Sequence, residues 1–217
     1  MLFRSKDGSL RMNLAGRVNP DTVRRAGGPP WLTQVRGAAD WRGTVAVRNK
    51  TLDLTVESTL QGLAIDLPAP AGKTAAEALP FKLERRFLAN DRDQYAISAG
   101  NWLSAKFHRH SEGKRTVIDR GTVRLGGGDA PEPARAGVHV AGGLKTLDAD
   151  AWLKIIGDAG SSSKDSGDVQ WTLAGLDVKF GELEFYDRHF GETAIRYNGV
   201  QSGRSEEHTS ELQSPCN

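Results

Sequence analysis

One segment, Thr51–Lys73 (TLDLTVESTLQGLAIDLPAPAGK), constrains the fold more than any other. Leu52, Leu54 and Val56 alternate with Asp53, Thr55 and Glu57, and Leu63, Ile65 and Leu67 repeat the pattern around Asp66. A period of two gives each strand one apolar face and one solvated face. Pro68 and Pro70 then end the run, because proline has no N–H to donate to a sheet ladder.

The same grammar fills most of the chain. It predicts strands at Leu10–Val18, Gly37–Arg48, Thr51–Leu60, Gly62–Leu67, Phe81–Leu88, Gln94–Ala99, Leu103–His110 and Thr116–Leu125. One more strand is marked by Val138 and Val140. Later ones are expected at Val169–Leu173, Leu176–Phe180, Leu183–Tyr186 and Thr193–Tyr197, with Gly181-Glu182 as a turn. Asn19-Pro20 starts a short helix, and Asp148 caps a second whose apolar face holds Trp152, Leu153, Ile155 and Ile156. Hairpin-sized connections favour antiparallel pairing, since parallel neighbours need crossovers. The expected fold class is therefore mostly β, a long, curled antiparallel sheet forming an open trough, with two short helices. The expected organisation is a trough segment over residues 1–158, a flexible linker at 159–168, a continuation of the trough at 169–203 and a non-native tail at 204–217.

That tail, Arg204–Asn217 (RSEEHTSELQSPCN), resembles a translated sequencing adapter and breaks the β alternation. A chain ending so would be cut short within a longer protein. Setting the tail aside removes one arginine, three glutamates and the single cysteine, leaving 28 basic against 24 acidic residues, a charge of about +4. This is too small to point to nucleic acid. A hydrophobic content of 38% with a mean hydropathy of −0.48 suits sheets wet on one side. No apolar run approaches the roughly 18 residues that span a bilayer, and the N-terminal residues lack the apolar core of a signal peptide.

No set of residues assembles a catalytic site, and no cofactor or metal is expected. Gly72-Lys73-Thr74 resembles the end of a phosphate-binding loop, but Leu67 stands where the first glycine belongs, and Pro68 and Pro70 prevent the wrap. Ser161-Ser162-Ser163-Lys164 has the Ser-x-x-Lys spacing inside a linker that cannot hold its geometry. His108 and His110 share a strand face but sit among Lys106, Arg109 and Lys114, which repel cations. Asp53, Glu57, Asp66 and Glu84 occupy wet faces, and the five tryptophans are scattered rather than arrayed as a sugar platform.

Together these segments carry a resemblance. Ser58–Lys73, reading S-T-L-Q-G-L-A-I-D-L-P-A-P-A-G-K, resembles a phrase that recurs late in the YhdP-type branch of the AsmA-like proteins of Gram-negative envelopes. Asp119-Arg120-Gly121, Leu125-Gly126-Gly127 and the helix start Leu147–Trp152 match the same style, and the likeness covers about residues 9–200. The resemblance implies an internal, periplasmic piece of an inner-membrane-anchored protein whose β-trough conducts phospholipids between inner and outer membranes. Its implied partners are phospholipid acyl chains and, through missing parts of the parent chain, both membranes. The groove-facing candidates are Leu54, Val56, Leu63, Ile65 and Leu67. Two rival functions remain: a non-catalytic assembly module of the envelope, and a β-rich carbohydrate-active domain.

Overall fold

A computed structural model describes residues 2–4, 10–25, 30–48, 51–88, 91–113, 115–161 and 169–199. The strands in chain order are β1 (Leu2–Arg4), β2 (Leu10–Val18), β3 (Val35–Gly37), β4 (Ala39–Arg48), β5 (Thr51–Ser58), β6 (Leu63–Ile65), β7 (Phe81–Phe87) and β8 (Arg92–Ala99). They continue as β9 (Leu103–Glu112), β10 (Arg115–Leu125), β11 (Gly137–Asp148), β12 (Val169–Gln170), β13 (Leu173–Phe185), β14 (Arg188–Phe190) and β15 (Thr193–Asn198). Two helices, α1 (Pro20–Arg25) and α2 (Ala149–Ser161), and a 3-10 turn at Pro30–Gln34 complete the described elements.

Thirteen strands form one sheet, ordered β1-β2-β4-β5-β7-β8-β9-β10-β11-β13-β14, with β12 beside β10 and β15 beside β13. The sheet is not closed into a barrel. Along the main strand order from β1 to β10 each pair is antiparallel, as expected for hairpin-linked strands. The mostly-β, open-sheet expectation holds, and the sheet is mixed: β11 lies parallel to both β10 and β13, and β12 lies parallel to β10. The first crossover is not helical. Residues 126–136 return across the sheet, held by Ala130 N–H donating to Ser104 Oγ (2.9 Å) and by Thr122 Oγ1 donating to the Pro131 carbonyl. The second crossover contains α2.

The helix starts fall where the caps placed them. Asn19 Oδ1 accepts from Thr22 N–H at 2.9 Å, and Asp148 Oδ1 from Ala151 N–H at 2.8 Å. α2 carries the chain through residues 159–161 of the expected linker, while residues 162–168 and the tail at 204–217 lie outside the described residues. Two other expectations change. Gly181-Glu182 is not a turn: β13 runs straight through it, and the buried Val178, Phe180 and Leu183 on either side belong to one cluster. Residues 62–67 do not join the large sheet either. β6 pairs with β3 in a separate two-stranded sheet, where Gly37 (φ +101°) and Gly62 (φ +94°) pass so closely that a side chain on either would strike a backbone carbonyl.

Buried apolar side chains gather at two places. Val35, Ala39 and Leu63, with Leu32, Leu60 and Ile65 against them, form one core between the small sheet and β4. Val178, Phe180 and Leu183, with Leu125, Val140, Leu144 and Leu147, form the other around β13. α2 reaches towards the first core, for Trp152 Nε1 donates to the Ala69 carbonyl at 3.1 Å.

Candidate functional site: an apolar sheet face

Paired residues in neighbouring strands share a face, so the register defines the surface of the sheet. One row runs Leu14, Gly43, Val56, Leu83, Ile97, Ala105, Val123, Val140 and Leu176, crossing nine strands from β2 to β13 without a polar side chain. At the usual strand separation of about 4.8 Å this stripe is about 38 Å long. The row beside it holds Gly16, Trp41, Ser58, Phe81, Ala99, Leu103, Leu125, Gly142 and Val178. In the middle of the sheet Leu54, Val56, Leu83, Ile97, Phe107 and Val123 are only half-buried. Half-burial of large apolar side chains at the centre of a sheet marks a face without a second layer, and such a patch calls for an apolar partner.

The opposite face is polar. Asn13, Thr44, Thr55, Glu84, Ala96, Lys106, Thr122 and His139 make the corresponding row. Asp53, Glu57 and Glu84 lie on this wet side, as their phase requires. His108 Nε2 is 2.9 Å from Glu132 Oε1, while Glu132 Oε2 accepts from Lys106 Nζ at 3.3 Å, and these bonds hold the Glu132 carboxyl below its ordinary pKa. His110 lies between Glu112 (3.0 Å) and Asp119 (2.8 Å), and the bond to Glu112 is the main reason its pKa rises above the ordinary 6.5. Among the described residues no group of three or more His, Cys, Asp or Glu is placed to hold a metal. A polar depression of about 310 Å³ on this face is lined by residues including Arg11, Asp53, Glu84 and Lys106.

The five groove candidates do not come together. Leu54 and Val56 stand on the apolar face of the large sheet. Leu63 is 8% exposed inside the core with Val35 and Ala39, and Ile65 packs against that core. Leu67 is half-buried in the loop that follows β6. The LPAPAGK phrase thus has a local structural job. Ile65 and Lys73 exchange backbone hydrogen bonds at 2.8 and 3.0 Å, folding the proline loop back onto β6. Lys73 Nζ donates to the carbonyls of Leu60 (3.0 Å) and Leu63, and partial burial lowers its pKa. Gly72 leaves no room for a side chain, since a Cβ there would sit 2.1 Å from the Leu67 carbonyl oxygen. Glu77 closes the loop by accepting from Thr74 N–H (2.7 Å) and Oγ1 (2.9 Å), bonds that lower its pKa.

One cluster on the apolar face escaped the sequence reading. Arg85, Asp93 and Arg109 sit in phase with the apolar residues of β7, β8 and β9. Arg85 Nη2 and Arg109 Nη2 each donate to Asp93 Oδ2 at 2.7 Å, and Arg109 Nε does so at 3.0 Å. Asp93 is buried, and the Arg85 guanidinium lies 3.6 Å from the Phe87 ring centre. Burial raises the pKa of Tyr95, with the two arginines opposing. The signal was present in FKLERRF, where Arg85 takes the apolar phase between Leu83 and Phe87.

With this geometry in place, a comparison with known families decides the affiliation: the family model described as "YhdP protein" matches residues 1–214. The chain belongs to the YhdP family. Membership suggests an AsmA-like protein of envelope lipid transport, in a family not known for enzymatic activity. Neither a curated protein nor a solved structure matches the chain. The match to the YhdP model continues into residues 204–214, the stretch that reads as adapter. Among the described residues no helix is long and apolar enough to cross a membrane.

Proposed function

We propose that the apolar face of the large sheet is the lining of an open trough that conducts phospholipids between the inner and outer membranes, with this chain as a periplasmic stretch of it. The observation that carries this reading is the row from Leu14 to Leu176, apolar across nine consecutive strands and half-buried at its centre. Acyl chains laid along such a row gain about 0.8 kcal/mol per methylene removed from water. The gain is non-directional, so a chain can slide without breaking specific bonds, and no catalytic residue is required. Leu54 and Val56 are proposed as lining residues. Leu63 and Ile65 contribute by holding the small sheet at the strand ends. Leu67 belongs with that loop.

The test is charge insertion by face. Ile97→Asp and Leu83→Asp put a carboxylate into the stripe, whereas Ala96→Asp puts one on the wet face. Transfer of a fluorescent phospholipid between donor and acceptor vesicles is expected to collapse for the first two and to persist for the third. Equal transfer by all three folded variants overturns the proposal.

A further inference from the structure

Where β7, β8 and β9 meet, the apolar face carries three ionised side chains, and they form one cluster. Arg85, Asp93 and Arg109 lie towards the strand ends opposite Phe81, Ala99 and Leu103. Ions on an apolar face are costly unless fully compensated, and here compensation is incomplete. Two guanidiniums share one carboxylate, and the bonds converge on its single oxygen Oδ2. Arg85 Nε is buried without a hydrogen-bond partner. The guanidinium planes are held against Phe87 at 3.6 Å and against Tyr95 at 5.3 and 4.8 Å. Oriented donors, one surplus positive charge and aromatic walls make a site short of one anion.

We infer that Arg85 and Arg109, positioned by Asp93, bind the phosphodiester of a lipid headgroup whose acyl chains lie on the adjoining apolar rows. This rests on the lipid-conduit reading above and specifies the headgroup end of the same site. The surroundings choose between a lipid and a free anion. Leu54 and Phe107 flank Arg85 and Tyr95 in the same cross-strand row. A hydrated phosphate gains nothing from these neighbours, while a phosphate tethered to acyl chains gains from them. Guanidiniums match phosphate oxygens in geometry, and the pair needs no particular alcohol on the headgroup. The site therefore selects phosphate over its absence rather than one phospholipid over another.

The test compares vesicles doped with phosphatidylglycerol, vesicles doped with diacylglycerol, and inorganic phosphate alone, on the whole chain. Two readouts run in parallel: photocrosslinking from a reactive side chain at Val56, which reports apolar occupancy, and the 15N side-chain signals of Arg85 and Arg109. The wild type is expected to crosslink phosphatidylglycerol on the order of tenfold better than diacylglycerol, one charge-assisted contact's worth. Phosphatidylglycerol, and not millimolar inorganic phosphate, is expected to shift both arginine signals. The triple variant Arg85→Leu, Asp93→Leu, Arg109→Leu removes the ions together, a replacement that commonly preserves folding. It is expected to crosslink the two lipids equally. Equal crosslinking of both lipids by the wild type overturns the headgroup site and leaves the conduit standing. No crosslinking of either lipid overturns the conduit reading itself. Arginine shifts produced by inorganic phosphate alone overturn the lipid assignment in favour of a free-anion site.

Discussion

Two stretches that read alike in the sequence, Leu52-Leu54-Val56 and Leu63-Ile65-Leu67, end in different places. The first lies in β5 on the open face of a thirteen-stranded sheet, half-buried. Leu63 and Ile65 of the second enter a two-stranded sheet and close a small core, and Leu67 lies in the loop that follows. Periodicity fixes which side chains share a face, and it is silent on what that face meets. The separation is made by backbone that the alternation does not register. Gly37 and Gly62 sit at positive φ where the two chains nearly touch, and the Pro68–Lys73 loop folds back on β6. A closed core and an open lining therefore differ less in their apolar residues than in the glycines, prolines and lysine around them.

This contrast can be broken by substitution, and the largest effect is expected in the core. Leu63→Ala should cost about 2–4 kcal/mol in a urea unfolding experiment. Leu54→Ala, already half in water, should cost about 1 kcal/mol or less. Equal costs would mean that the open face is covered after all. Next comes Lys73→Met, which leaves the carbonyls of Leu60 and Leu63 without their donor; a loss of about 1–2 kcal/mol is expected. Hydrogen exchange at the Ile65 and Lys73 amides should quicken with it, while amides of β5 stay protected.

Asp93→Ala should lower stability by about 1–3 kcal/mol by leaving two guanidiniums on an apolar face. Adding Arg85→Leu and Arg109→Leu to Asp93→Leu should restore most of that loss, the reverse of what piling substitutions into the Leu63 core would do. The smallest effect is electrostatic and lies on the wet face. His110 should titrate above its ordinary 6.5, by NMR, and move back towards it in Glu112→Gln, because the Glu112 bond is the main cause of the rise. The folded pKa being the higher one, this contribution to stability is full below the unfolded pKa and fades as pH rises through the folded value.

Much of the architecture was legible from residue order. Apart from Val35–Gly37, the strands from Leu10 to Leu125, the caps Asn19 and Asp148, and the wet positions of Asp53, Glu57 and Glu84 follow from alternation and local chemistry. The parallel pairs around β11 were not legible, since residues 126–136 look like any glycine- and proline-rich loop and reveal nothing about crossing back over the sheet. Gly181-Glu182 reads as a turn because glycine usually breaks a strand, but β13 continues through it paired with β11, Leu144 beside Phe180 and Leu147 beside Leu183. The Arg85–Asp93–Arg109 cluster required three strands in register before its members could be seen as neighbours. Each alone is one more charge in a polar chain.

The central claim is that one face of the large sheet meets lipid and the other does not. A photoreactive side chain placed at Val56, and separately at Thr55 on the same strand, tests it most directly in the presence of phospholipid vesicles. The account expects phospholipid adducts from position 56 and few from position 55. Adducts from 55, or none from 56 in a folded chain, would contradict it.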